Sequence, residues 1–137
     1  MALLVDSSVF IGLERRGLGL DDFPRIGPDE PAAMASITAS ELLVGVFRAA
    51  PSPRTTARQV FVERLCQQVP IFAFDLPTAR IHARLWTILA ATGNPIGPAD
   101  LIIAATTLTY GHAIFTDNAR EFRRVPDLVV VQPTWPG

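Results

Sequence analysis

The chain is expected to fold as an α/β protein, a three-layer α/β/α arrangement around a central, mostly parallel four- to five-stranded sheet. Three observations carry this expectation. Short apolar runs alternate with longer segments of helical spacing, the pattern of a parallel sheet covered by helices on both faces. Two of those runs, Ala2-Leu3-Leu4-Val5 and Ala113-Ile114-Phe115, break off into Asp6-Ser7-Ser8 and Thr116-Asp117-Asn118, polar tips of one kind. Finally, 137 residues with 49% hydrophobic content suit one core, so residues 1–137 are read as a single domain.

Taken in order, the first strand ends at Asp6, and Val9 to Leu13 continue with helical spacing up to Arg15 and Arg16. Asp6, Ser7 or Ser8 could simply cap that helix. Gly17 to Pro31 reads as an exposed connection with one helical turn, because Gly, Pro and acidic residues crowd it. Ala32 to Ala35 forms a second buried strand. Thr38-Ala39-Ser40-Glu41 then fits a capping box ahead of an apolar helical stripe, and locally that reading of Glu41 is the favoured one.

Pro51-Ser52-Pro53 interrupts the chain before an amphipathic helix over Arg54–Gln68, which completes an α-hairpin. Its Arg54, Arg58 and Arg64 read as a solvated face, and Cys66, the lone cysteine, as a packing residue. Val69 to Phe74 is a third short strand. Asp75-Leu76-Pro77 opens a helix to about Ala91 that carries His82 and Trp86 one turn apart, both packing or surface residues. Gly97 and Pro98 start the next helix and place Asp100 in its first turn, on the face of Ile103, Ala104 and Thr107. Asp100 there either answers the helix's positive end or points its charge into the packed side for chemistry. The helix stops at Gly111. After the fourth strand and its polar tip, Arg120-Glu121-Phe122 makes a short helical turn, and Asp127 to Val131 a last edge strand.

All 12 basic residues are arginine. The absence of lysine excludes P-loop NTPases, Schiff-base enzymes, Ser-x-x-Lys acyltransferases and lysine-dependent phosphoryl transfer. No apolar run reaches the roughly 18 residues of a membrane span, and no secretory signal is recognisable, so a cytoplasmic protein is expected. Four of the 13 acids, Asp6, Glu41, Asp100 and Asp117, are candidates for one site, which leaves nine against 12 arginines and a mildly basic remainder.

Right-handed crossovers bring the carboxyl ends of parallel strands to one edge. Asp6 and Asp117 share that edge, and Glu41 and Asp100 begin helices that approach it. Four converging carboxylates repel one another unless a divalent cation lies among them. Oxygen ligands without Cys or His favour Mg²⁺, with Mn²⁺ as a substitute, over Zn²⁺. Such a centre suits hydrolysis of phosphodiesters, where metal activates water and stabilises the leaving oxygen without a nucleophilic side chain. Ser8 and Thr116 would support it by holding a ligand carboxylate or a cation's water.

These motifs resemble the PIN domain, and within it the VapC-type toxins of toxin–antitoxin pairs. The resemblance lies in Leu4-Val5-Asp6-Ser7-Ser8-Val9, in Ser36-Ile37-Thr38-Ala39-Ser40-Glu41-Leu42 with Gly45, in Ile96-Gly97 before Asp100-Leu101-Ile102-Ile103-Ala104-Ala105, and in Thr116-Asp117-Asn118 with Phe122. It implies a PIN-like fold and a magnesium-dependent endoribonuclease that cleaves structured RNA, often tRNA or rRNA. It also implies neutralisation by a VapB-like antitoxin and a homodimer. Asp6, Glu41 and Asp100 match the family's most regular acids, and Ser8 and Thr116 its supporting hydroxyls. Either Asp117 or Asn118 can fill the fourth position; Asp117 is preferred because only it adds charge, with Asn118 in support. Two rivals remain at this point. A catalytically silent PIN-like binding protein would use the acids as helix caps, and a metal-dependent phosphatase of the haloacid dehalogenase type would need a second aspartate where Ser8 stands, and a lysine.

Overall fold

The computed structural model describes residues 1–137. Five parallel strands form one sheet in the order β3-β2-β1-β4-β5: β1 is Leu3–Val5, β2 Ala32–Ala35, β3 Ile71–Phe72, β4 Ala113–Phe115 and β5 Val130–Val131. The helices are α1 (Ser7–Arg15), α2 (Phe23–Ile26, preceded by a 3₁₀ turn over Leu20–Asp22), α3 (Ser36–Arg48), α4 (Pro53–Gln68), α5 (Leu76–Thr92), α6 (Pro98–Thr109) and α7 (Ala119–Phe122). No helix is long and apolar enough to cross a membrane.

Because side chains alternate across a strand, each central strand feeds two cores. Leu3 and Val5 of β1, Met34 of β2 and Ala113 and Phe115 of β4 face α1 to α4, where Phe10, Leu13, Ile26, Leu42 and Leu65 close over them. Leu4, Ala33, Ala35 and Ile114 face the other way, against Leu85 and Leu89 of α5, Leu101, Ile103, Ala104 and Ala105 of α6, and Phe122 of α7. The expected α/β/α layering is thereby present. The chain winds outward from β1 to β3 over one face, then crosses back through α5 and α6 to β4 over the other. Its direction of winding therefore reverses between β1 and β4, the place where open α/β sheets leave a crevice at the carboxyl edge.

Several local expectations need correction. The connection over residues 17–31 contains the expected helical turn, α2, and is exposed over much of its length, but Phe23 and Ile26 of that turn are buried in the first core. The third strand pairs only at Ile71 and Phe72, against Met34 and Ala35, as a short edge strand. β2 runs into α3 without a loop, so that Ala35 is the N-cap and Thr38 lies inside the first turn. A capping box between Thr38 and Glu41 is consequently not formed. Other expectations stand. Asp75 caps α5 through the Thr78 N–H at 3.3 Å, Gly111 takes the left-handed conformation after α6 (φ 65°), and Cys66 packs half-buried at the edge of the first core. His82 sits edge-on between Phe74 and Trp86. Of the α4 arginines, Arg58 is not merely solvated, because its Nε donates to both oxygens of Glu14 at 2.9 and 3.1 Å and ties α4 to α1.

Candidate metal centre

The crevice between β1 and β4 is lined from its floor upward by Asp6. Its backbone N–H donates to the Phe115 carbonyl at 3.0 Å, extending the β1–β4 ladder by one rung beyond Val5. Register thus sets Asp6 beside Thr116. Two hydroxyls donate to a single oxygen of Asp6: Ser8 Oγ to Oδ2 at 2.8 Å and Thr116 Oγ1 to Oδ2 at 2.9 Å. Asp6 is only 4% exposed. Its Oδ1 receives no protein hydrogen bond and is not sealed within the protein. The carboxylate makes no bond to the N–H groups of α1, although Asp6 occupies the N-cap position, so capping does not explain it.

Asp100 enters from the first turn of α6, half-buried beside the crevice. Burial first, then a hydrogen bond with Glu121, then the charges of Asp6, Glu121 and Glu41 push its carboxyl up to about 7. Glu41 stands on the outer side of the cluster. Partial burial and the charge of Asp6 raise its carboxyl, against a hydrogen bond from Ser7. The charge of Asp6 thus bears on both Glu41 and Asp100, and that of Glu41 on Asp100.

Asp117 and Asn118 diverge. The Asp117 carboxylate accepts from Trp135 Nε1 at 3.1 Å to each oxygen, on the side of α1, while its backbone N–H donates to Ser8 Oγ at 3.2 Å. Trp135 is seated where Gly12 leaves room for its ring, with the Arg16 guanidinium 4.0 Å from the ring centre. Asn118 turns the other way, into the acids. Its Nδ2 donates to Glu121 Oε2 at 2.9 Å and, more weakly, to Asp100 Oδ2 at 3.4 Å, and its N–H donates to Thr116 Oγ1 at 2.9 Å.

Glu121 is the residue that sequence reasoning missed. Its Oε1 accepts the Gly97 N–H at 2.6 Å, a bond that holds its carboxyl below the usual range. The only local signal was the spacing Asn118-x-x-Glu121, which reads as an ordinary helix start.

A family model for the PIN domain matches residues 3–128. The chain belongs to the PIN-domain family. Ribonuclease VapC of Rickettsia bellii (strain RML369-C) is 30% identical to this PIN domain over 131 residues, 96% of each chain. The tRNA(fMet)-specific endonuclease VapC of Salmonella typhimurium is 30% identical over 95 residues, 69% of this chain and 70% of that one. In fold, this PIN domain is similar to the crystal structure of VapBC2 from Rickettsia felis bound to a DNA fragment from their promoter, with a TM-score of 0.83 at 22% identity over 99% and 100% of the two chains.

PIN-domain nucleases depend on divalent metal, and the donor set here suits a hard cation: carboxylate oxygens and an amide, with no Cys or His among them. The free Oδ1 of buried Asp6 and the carboxyls of Asp100 and Glu41, raised by burial and by neighbouring charge, form an anionic patch whose chemistry a hard cation would fit. As placed, no three of these side chains close on a common point.

Proposed function

We propose that this chain is a VapC-type endoribonuclease that hydrolyses RNA phosphodiester bonds, tRNA or rRNA by preference, with Mg²⁺ or, in its place, Mn²⁺. In this reading Asp6, Asp100 and Glu41 hold the cation, Asp117 reaches it through water, and Ser8, Thr116 and Asn118 orient the ligands. The single observation that supports it is the electrostatic coupling of Asp100 to Asp6 and Glu41 beside the β1–β4 crevice, with capping unable to account for Asp6 or Glu41. The names of the 30%-identical relatives support ribonuclease activity, and one of them supports tRNA as the substrate class. A bound divalent cation would polarise the phosphate and make water nucleophilic at neutral pH.

The chain's own residues do the rest. Ser8 and Thr116 fix one oxygen of Asp6, so that the other would be free to hold a cation. With its carboxyl at about 7, Asp100 is roughly half protonated at neutral pH, and bound positive charge would favour its ionised form. We further assign a VapB-like antitoxin as partner, from the VapBC complexes that share the fold, and a cytoplasmic setting. The exposed Leu76, Trp86 and Ile88 of α5 offer apolar surface for pairing with a second copy.

The test is cleavage of bulk tRNA and rRNA by the purified chain with Mg²⁺, with Mn²⁺ and with EDTA. Cleavage that needs the cation and stops with chelator is the expected result. Cleavage indifferent to EDTA overturns the metal reading, and a chain that binds cation yet leaves RNA intact overturns the nuclease reading.

A further inference from the structure

Three of the chain's 12 arginines, Arg120, Arg123 and Arg124, fall within five residues, in α7 and just behind it. Phe122 pins α7 to the second core and Ala119 is buried, so the three side chains are left on the outer surface, all exposed. None of them is in an ion pair; those of the chain join Met1 to Glu30, Arg25 to Asp22 and Arg58 to Glu14. Arg123 Nη2 donates to Gln132 Oε1 and Arg124 Nη1 to the Pro95 carbonyl, each at 3.1 Å. Both acceptors are neutral, so they aim the guanidinium groups without cancelling their charge. Glu121, the one acid among the three, accepts from the Gly97 N–H and from Asn118 Nδ2 instead of from an arginine. The side chain of Arg120 has no hydrogen-bond or ionic partner.

Position decides what such a strip meets. α7 starts directly after Asn118, whose Nδ2 reaches Asp100, and Pro95 lies two residues ahead of Gly97, the N-cap of α6. Gln132 follows β5, so the strip borders the acids from the entry of α6 to the exit of β5. An RNA strand brought to the crevice meets Asp6, Glu41 and Asp100, which repel its phosphates, and a net charge of −1 gives no general attraction. Cations beside the crevice offset that repulsion, and arginine presents a planar fork that fits phosphate oxygens in pairs. Resting on the nuclease reading above, we infer that Arg120, Arg123 and Arg124 grip the RNA substrate by its phosphates, independently of base sequence, on the α7 flank of the centre. Arg54 and Arg64 are equally exposed but belong to α4, which packs on α3, and take no part.

The experiment measures filter binding of bulk tRNA in EDTA over a series of salt concentrations, and cleavage kinetics with Mn²⁺. It compares the full-length chain with Arg120→Gln/Arg123→Gln, with Arg120→Gln alone, and with Arg54→Gln/Arg64→Gln, which removes the same charge from α4. The α7 pair should weaken tRNA binding about 10-fold and flatten the dependence of log affinity on log salt by about 0.7–0.9 for each arginine removed. It should raise KM and leave kcat near that of the unsubstituted chain. The α4 pair should leave affinity and slope close to the starting values. Arg120→Gln should show part of the loss, and it carries the comparison should the α7 pair fail to fold, because its side chain makes no bond in the structure.

Unchanged tRNA affinity and salt slope in the α7 pair overturn the proposal, as does an equal loss in the α4 pair, which makes the effect one of overall charge. Affinity for poly-glutamate that falls while tRNA binding holds gives the strip to an acidic polypeptide and overturns it too, and so does a lack of tRNA binding by the unsubstituted chain. The nuclease reading fails separately: tRNA binding that depends on the α7 arginines without cleavage in Mn²⁺ upholds the phosphate grip and removes the reaction. Cleavage in Mn²⁺ with a KM that the α7 pair does not move overturns the grip alone.

Discussion

Replacing Asp100 with Asn removes a charge that the fold resists and the chemistry requires, so stability and activity should move in opposite directions. The carboxyl lies at about 7 in the folded chain against an ordinary 3.8. The folded state therefore binds more protons than the unfolded one between those values, and stability falls as pH rises through that window, then levels off. At about 1.36 kcal/mol per unit the full difference would be roughly 4 kcal/mol. Because Asp100 is only half-buried, solvent screening reduces this to about 1–2 kcal/mol. Asn is isosteric with the protonated acid and can still donate to Glu121 at every pH. In EDTA, then, the two proteins should unfold alike near pH 4, and the Asn variant should be the more stable by about 1–2 kcal/mol at pH 8, or roughly 4–8 °C in Tm. Adding Mn²⁺ at pH 8 should raise the Tm of the unsubstituted chain by mass action and barely affect the variant, while RNA cleavage by the variant is lost. Urea and thermal melts at pH 4, 6 and 8 supply the measurement. A stability difference that does not grow with pH refutes the burial argument, and retained cleavage by the variant refutes the role of Asp100.

Three further outcomes are expected. Thr116→Val removes one of two donors to Asp6 Oδ2 and the acceptor of the Asn118 N–H; it should cost about 1–3 kcal/mol in a urea titration and about 10- to 100-fold in cleavage at limiting Mg²⁺. Asp117→Asn should reduce cleavage less than Asp6→Asn or Asp100→Asn, since the Asp117 carboxylate is engaged by Trp135; an equal loss in parallel kinetics would make Asp117 as direct a ligand as the others. Gly27→Ala would bring a Cβ within 2.5 Å of the fully buried Phe115 ring, under the strand that leads to Thr116, so a thermal melt should show a loss of about 1–3 kcal/mol.

The order of the strands was not legible, whereas the parallel sheet and its two covering layers were, because they follow from alternation and handedness, which local pattern encodes. Asp6 was legible for the same reason, as a charge stranded where an apolar run stops. Glu41 was found by its motif but misread locally: Thr38-x-x-Glu41 has the letters of a cap, whereas β2 passes into α3 so abruptly that Ala35 takes the cap position. Within residues 17–31 the helical turn was foreseen, but the surrounding Pro and Gly hid the role of Phe23 and Ile26 as anchors for the first core. Glu121 was beyond reach, since its partner Gly97 belongs to another element and no periodicity relates the two. The choice between Asp117 and Asn118 was equally hidden, because it depends on Trp135, which approaches from the far side of α1.

The backbone of Asp6 closes a rung of the sheet, and that of Thr116 does the same toward β5, donating to the Val131 carbonyl at 3.0 Å. Two residues of the proposed centre are thus also part of the scaffold's ladder. Such a centre cannot drift as a loop would, and a lineage that changes which RNA it cuts must do so elsewhere, on the helices and turns that surround the crevice. Divergent target choice on an unvarying floor of carboxylates is the evolutionary signature this construction favours.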